Sequence, residues 1–159
     1  RMPSVPKTVI GTDGILSAKD HNQYFYVKEG DVTALKGTFM GVINANSGLV
    51  LKTQKSSTSG TTISQATVLF IYQVSDANDT TGFDDIYLPS TPNTGQMLIV
   101  KNMNTTKQIN LKGNGHKIAG YGISENDEGN LGTAIYIATQ RCKHFIFDGT
   151  IWQMVGMFN

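Results

Sequence analysis

The apolar and polar positions of this chain alternate in short stretches that are separated by tight turns. Ile109 and Leu111 flank Asn110, Ile135 and Ile137 flank Tyr136, and a period of two places each pair on one face of a strand. Further along, two apolar runs meet across Asp148–Thr150, whose Asp-Gly step is a strong local signal for a β-hairpin. No stretch keeps a helical period beyond a turn or two, so the pattern predicts short β-strands throughout.

These strands predict an all-β fold, a small antiparallel β-sandwich or a barrel-like domain. About six strands follow one another at even spacing from Thr67 onward, and no repeat of fixed period indicates a solenoid. Within Thr67–Val74 the run from Val68 to Tyr72 is apolar throughout, so we expect that strand to be buried on both faces. The closing strand, Ile151–Phe158, is also apolar on both faces. Neighbouring subunits would bury its second face, which favours an intertwined oligomer.

The composition changes near residue 55. Gln54–Thr62 is polar and low in complexity, which is typical of a linker. Before it, Gln23–Val27 is rich in aromatic and β-branched residues, and Asn46–Gly48 is a turn between two apolar pairs. We therefore predict an N-terminal β arm or subdomain over residues 1–55 and a β module over residues 56–159.

Charge and composition exclude several classes of function. Only 16% of the 159 residues are charged and the net charge is +1, so we expect neither nucleic-acid binding nor attraction to an anionic membrane. The longest apolar run, Val68–Tyr72, is far too short to insert into a bilayer. A single cysteine, Cys142, rules out an internal disulfide framework.

The sequence offers little catalytic chemistry. Cys142 and His144 would share one face of a strand, but adjacent positions on one strand rarely provide a nucleophile, a base and an oxyanion hole together. A zinc site would need two further ligands, and the acidic loops lack the EF-hand pattern for calcium. We therefore predict no catalytic residue, no cofactor and no metal site, and a protein that is not an enzyme.

Sugar binding is the chemistry that the sequence leaves open, because aromatic rings stack on sugars while carboxylates and amides hold the hydroxyl groups. Recognition residues collect on loops carried by a rigid β scaffold. Two loops are richest in suitable groups, Ser75–Asp85 and Ala119–Asn130. The predicted ligand-binding residues are Asp76, Asn78 and Asp79 on the first loop, and Tyr121, Glu125 and Asn126 on the second.

Five short motifs in the second half of the chain follow one another in a distinctive order. They are Leu88-Pro89, Thr94-Gly95-Gln96, Lys101-Asn102, the turn from Gly113 to Gly120, and Asp148–Trp152. This order resembles the C-terminal module of bacteriophage tail fibres and tailspikes. The resemblance covers roughly the second half of the chain.

The resemblance implies a homotrimeric virion protein in a tail appendage, with a role in host attachment. Its implied partners are a host cell-surface polysaccharide or protein and other virion tail proteins, and it implies no catalytic residue. Two alternatives remain open from the sequence. One is a carbohydrate-binding module attached to an enzyme, which would be a monomer, and the other is a capsid head fibre or decoration protein without a receptor.

Overall fold

The computed structural model describes residues 45, 48–120 and 131–158, without the side chain of Phe158. The chain divides into two compact units, Arg1–Ala45 and Asn46–Asn159, and nearly all described residues belong to the second. The predicted strand at Gln23–Val27 and most of the hairpin around Asn46–Gly48 lie outside the described residues, as does the predicted arm up to residue 44.

The described residues form eleven β-strands and a one-turn 3-10 helix at Asp76–Asn78, which confirms the all-β prediction. The strands are β1 (Thr53–Ser56), β2 (Thr61–Thr62), β3 (Leu69–Tyr72), β4 (Gly82–Tyr87), β5 (Met97–Asn102), β6 (Lys107–Lys112), β7 (Ile118–Ala119), β8 (Leu131–Gly132), β9 (Ala134–Ile137), β10 (Cys142–Phe147) and β11 (Trp152–Phe158). None of the described residues lies in a helix long and apolar enough to cross a membrane.

The strands make two sheets, and the chain passes from one to the other as it advances. The larger sheet has the order β1-β3-β5-β10-β11-β7-β8, and the smaller has the order β2-β4-β6-β9. From β1 to β6 each strand lies in the opposite sheet from the strand before it. A chain that crosses over and returns runs in its original direction, so β1, β3 and β5 are parallel, as are β2, β4 and β6.

One apolar core fills the space between the two sheets. Alternate residues of β3, β5, β6, β9 and β10 point into it, as the period of two predicts for Ile109, Leu111, Ile135 and Ile137, all of which are fully buried. The largest buried side chain is that of Trp152 on β11. Full burial of a large apolar side chain contributes about 1.5–3 kcal/mol, so this shared core is the main source of stability.

The prediction of an antiparallel sandwich is wrong in its strand directions. Both sheets are mixed, because β1 to β6 follow the crossing path described above, whereas hairpins join neighbouring strands only later in the chain. The predicted Asp-Gly hairpin is confirmed, since β10 and β11 pair antiparallel on either side of Asp148–Thr150.

The predicted linker at Gln54–Thr62 is an ordered part of the sandwich. It supplies most of β1 and all of β2, which pair with β3 and β4. The side-chain oxygen of Gln54 accepts hydrogen bonds from the backbone N–H of Ser64 at 2.7 Å and from its hydroxyl at 3.1 Å. The low-complexity composition reflects short turns between paired strands, because Ser and Thr hydroxyls bond locally there.

Two apolar strands are less buried within one chain than their sequences predict. On β3, Phe70 and Tyr72 are buried in the core, but Leu69 and Ile71 on the other face are only half-buried. On β11 a bulge opposite His144 and Phe145 shifts the register, and Val155 within it is 58% exposed. The second apolar face of each strand therefore faces outward in the single chain.

Candidate functional site

Several of the sequence motifs of the second half meet at one end of the sandwich. The backbone N–H of Gly95 donates to the carbonyl of Phe147 at 2.7 Å, and the N–H of Phe147 donates to the carbonyl of Gln96 at 3.0 Å. The side-chain amide of Asn114 donates to the carbonyl of Leu88 at 2.8 Å. Motifs that are far apart in sequence are thus hydrogen-bonded to one another's turns. Their order along the chain therefore corresponds to contacts in the fold.

The same end is tightened by ring packing around Phe147. The His116 ring packs edge-on against the Phe147 ring, with 4.9 Å between centroids. The Trp152 ring packs against the Phe147 ring at a tilt, with 5.3 Å between centroids. His116 Nε2 also lies 3.2 Å from the carbonyl oxygen of Ser90. These side chains stabilise the turns from inside, so this end of the sandwich is a structural joint.

Asp148 organises the hairpin turn between β10 and β11. One carboxylate oxygen accepts from the backbone N–H groups of Thr150 and Ile151, each at 2.9 Å, and the other accepts from Gln153 Nε2 at 2.8 Å. The Gln153 contact and these backbone hydrogen bonds hold the pKa of Asp148 below its usual range. Both oxygens of the Asp148 carboxylate are therefore already hydrogen-bonded within the chain.

At the opposite end, a pair of buried asparagines ties the two sheets together. Asn102 Nδ2 donates to the carbonyl oxygens of Lys107, Ile137 and Ala138 at 2.9, 3.2 and 3.2 Å. Its Oδ1 accepts from the backbone N–H and the side-chain amide of Asn104 at 3.0 and 2.9 Å. Asn102 is fully buried, so the Lys101-Asn102 motif supplies an internal polar anchor.

The first predicted ligand-binding loop lies at this second end. Asp76 and Asn78 are exposed on the 3-10 helix. Asp79 is partly buried, and its two oxygens accept from the backbone N–H groups of Thr105, Thr106 and Lys107 at 2.7–3.0 Å, and from both threonine hydroxyls. The Thr105 hydroxyl contact, followed by its N–H, holds the pKa of Asp79 well below its usual range.

Asp79 therefore closes the turn between β5 and β6, which the sequence did not indicate. The exposed Asp76 side chain remains available to a ligand, whereas the Asn78 amide, although exposed, donates to the Ser75 hydroxyl at 3.1 Å. Tyr121, Glu125 and Asn126, on the second predicted loop, lie outside the described residues, so the predicted grouping of the two loops stays a prediction.

Cys142 and His144 share the outer face of β10, as the strand period predicts. Cys142 lies opposite Lys101, and His144 lies opposite Ile99 on the neighbouring strand β5. Within residues 48–120 and 131–158, no three His, Cys, Asp or Glu side chains lie close enough together to hold a metal ion.

The outer face of the larger sheet is apolar over several strands, and we call its four apolar members toward the amino ends of β3 and β5 the outer face cluster. They are Leu69, Met97, Ile99 and Ile146. The cross-strand register puts Leu69 beside Ile99, and Met97 beside Ile146. Met97 is 47% exposed and Ile146 is 36% exposed. The cluster is continuous across β3, β5 and β10.

A groove of about 460 Å³ opens at the end of this face where β1, β3 and β5 reach their carboxyl ends. Seven residues line it: Lys55, Ser56, Ser57, Ile71, Gln73, Lys101 and Met103. Because the three strands are parallel, their carboxyl ends meet on the same side of the sheet. The loop that carries Asp76 and Asn78 leaves β3 at this same end. Sequence reasoning missed the groove, since its walls come from three segments that only strand pairing brings together.

A scan against models of protein families gave no match to this sequence, and a search of curated proteins gave none either.

Proposed function

We propose that this chain is the distal part of a bacteriophage tail fibre or tailspike, a homotrimer in the virion that attaches to a glycan on the host surface. The order of the five sequence motifs supports the tail-fibre assignment, and the observation that carries the assembly is the outer face cluster. It leaves apolar side chains of three adjacent strands at the surface of the single chain. Contiguous apolar patches of this kind mark interaction surfaces.

A second copy of this chain is the occupant that best suits the cluster. The strands of the cluster are central in a seven-stranded sheet, so their backbone groups are already paired and only side chains remain to be covered. Val155 lies on the closing strand β11, which is next to β10, and adds a further exposed apolar side chain. Burial of this apolar area between copies would favour association through the hydrophobic effect.

The remainder of the molecule suits attachment better than catalysis. The carboxylates of Asp79 and Asp148 are hydrogen-bonded to internal turns. Two further carboxylates form ion pairs, Asp84 with Lys107 at 3.6 Å and Asp85 with Lys112 at 2.9 Å. By contrast, the exposed groove and the exposed side chains of the adjoining loop offer groups that bind without reacting. A rigid β scaffold with recognition groups at one end is typical of a binding protein.

The test of the assembly is the native mass of the parent and of two charge variants. Ile146→Glu places a carboxylate inside the cluster, and we expect it to convert a trimer into monomers. Phe83→Glu is the matched control, because Phe83 is 57% exposed on β4 of the other sheet. A parent that is a folded monomer at micromolar concentration would contradict the assembly and favour a detached carbohydrate-binding module.

The test of attachment uses fluorescently labelled protein on a panel of bacterial strains with different surface polysaccharides. We expect binding to at least one strain, lost after periodate oxidation of the cell-surface sugars. A trimer that binds no strain would contradict host attachment and favour a capsid head fibre. Binding that survives periodate but not protease would identify a protein receptor instead of a glycan.

A further inference from the structure

The groove at the carboxyl ends of β1, β3 and β5, which we call the lysine groove, indicates the chemistry of the receptor. We propose that the lysine groove binds an acidic sugar. The carboxylate would lie between the ammonium groups of Lys55 and Lys101, and the sugar ring would rest on Ile71 and Met103. The inference rests on the proposed function, because it names the class of the host glycan.

Strand register sets the two lysines on either side of one apolar residue. Lys55 pairs with Ile71 on β3, and Ile71 pairs with Lys101 on β5. Neighbouring strands lie about 4.8 Å apart, so the two lysine Cα atoms are about 10 Å apart across Ile71. Flexible lysine side chains can converge on one anion over that span, which is comparable to a disaccharide.

Neither lysine is paired with an opposite charge within the described part of the chain. The ion pairs found there, Lys107 with Asp84 and Lys112 with Asp85, lie on the smaller sheet. Within residues 48–120 and 131–158, the side chains of Lys55 and Lys101 make no hydrogen bond and no ion pair. An anion in the groove would supply the opposite charge that the chain itself does not.

The polar rim is partly free and its backbone is fixed. The Ser56 hydroxyl is already used within the chain, since it lies 2.7 Å from the Thr61 hydroxyl. The side chains of Ser57 and Gln73 make no hydrogen bond with any other described residue. The backbone N–H of Gln73 donates to the carbonyl of Ser56 at 3.0 Å, and that of Met103 donates to the carbonyl of Tyr72 at 2.9 Å. These bonds extend the strand pairing beyond β3, so the groove is preformed and a ligand orders little of the backbone on binding.

The combination of an apolar floor with hydroxyl, amide and ammonium groups fits a sugar acid better than a nucleic acid. Met103 is 37% exposed and Ile71 is half-buried, so both present apolar surface to the C–H face of a sugar ring. None of the seven described lining residues is aromatic, and single-stranded nucleic acids are held largely by stacking on aromatic rings. A sugar would here rest on aliphatic side chains instead of the aromatic ring that the sequence led us to expect. With only two lysines in the groove, phosphate contacts are also few.

The experiment measures binding of short oligomers of galacturonic acid and of sialic acid by titration calorimetry. Short oligomers avoid the avidity of several subunits on one polymer. The comparison ligands are the same oligomers after chemical reduction of their carboxyl groups, and a peptide of glutamates. The protein variants are Lys55→Gln, Lys101→Gln and the double variant. Lys117→Gln is the matched control, because Lys117 is exposed at the other end of the sandwich.

We expect at least one acidic oligomer to bind, its reduced form to bind weakly or not at all, and added salt to weaken the binding. Each lysine substitution should weaken affinity about five-fold and the double variant about twenty-fold, as partly exposed charge pairs do. Lys117→Gln should match the parent. Equal melting temperatures of all variants show that the exposed substitutions leave the fold unchanged.

Four results would overturn the proposal. Equal affinity for an oligomer and its reduced form would remove the role of the carboxylate. Parent-like affinity of the double variant would move the site elsewhere. Tighter binding of the glutamate peptide would make the ligand an acidic protein segment. If no acidic oligomer binds while the protein still attaches to cells through periodate-sensitive sugars, this inference fails and the proposed function stands. If cell attachment is absent too, the proposed function fails with it.

Discussion

Asn102→Asp should destabilise the protein strongly at neutral pH, although the substitution changes only one nitrogen to an oxygen. The amide of Asn102 donates to three carbonyl oxygens and accepts from Asn104 in a fully buried site. A carboxylate keeps the acceptor role and loses the donor role. The substituted oxygen would then face the carbonyls of Lys107, Ile137 and Ala138 with a negative charge.

The expected magnitude follows from those contacts. A buried acceptor left without its donor costs about 1–3 kcal/mol, and an uncompensated buried charge adds to this. We expect a loss of about 3–5 kcal/mol in the free energy of unfolding at pH 7, a fall of roughly 10 °C in the melting temperature for a chain of this size. Burial and the carbonyls should raise the pKa of the new carboxyl in the folded state, so the loss should be smallest below about pH 4, where both states are protonated.

The assay is thermal and urea unfolding of the parent, Asn102→Asp and Asn102→Ala between pH 3 and pH 8 at one protein concentration. Asn102→Ala should lose stability at every pH, since it has no titratable group. Asn93→Asp is the matched control, because Asn93 is exposed and its side chain bonds to no other described residue. An Asn102→Asp variant within about 1 kcal/mol of the parent at pH 7, or one whose loss does not depend on pH, would refute the reasoning.

Two further predictions concern the turns and the core. Asp79→Asn should lower the melting temperature at pH 7, and the difference from the parent should narrow as the pH falls below about 4, because the lowered pKa of Asp79 stabilises the fold only while its carboxylate is charged. A difference that stays constant with pH would contradict this. Trp152→Ala should cost about 3–5 kcal/mol in urea unfolding. Trp152→Phe should cost clearly less, since the indole Nε1 has no hydrogen-bond partner among the described residues, and equal costs would show a hidden role for that nitrogen.

The sequence was sufficient to predict strands and turns, because those depend on neighbouring residues. The alternation around Ile109 and Ile135 and the Asp-Gly step at Asp148 each indicate a structure that the molecule has. The strand directions were not predictable in the same way. Whether the turn after Leu88 leads to a neighbour in the same sheet or across to the other sheet depends on contacts with distant residues such as Phe147.

Polar residues were the hardest to assign from sequence. Asp79 was predicted to bind a ligand because carboxylates in loops often do, yet both its oxygens bond to the next turn of the chain. Gln54 was predicted to lie in a linker because its neighbours are Ser, Thr and Gly, yet its side chain joins the turn at Ser64. In both cases the deciding partner lies at least ten residues away, beyond the reach of a local pattern.

The lysine groove follows directly from the strand directions that the sequence did not reveal. In an antiparallel sheet the carboxyl ends of neighbouring strands point to opposite sides, so Ser57, Gln73 and Met103 would not meet. The crossing path of the chain makes β1, β3 and β5 parallel and brings these residues to one end, with Lys55 and Lys101 in a single cross-strand row. Elsewhere in the described chain, polar groups such as those of Asn102 and Asp148 are used to hold turns and sheets together. The groove is where side chains with charge and hydrogen-bonding capacity are held in register and left unused, and such groups are free to act on a molecule outside the fold.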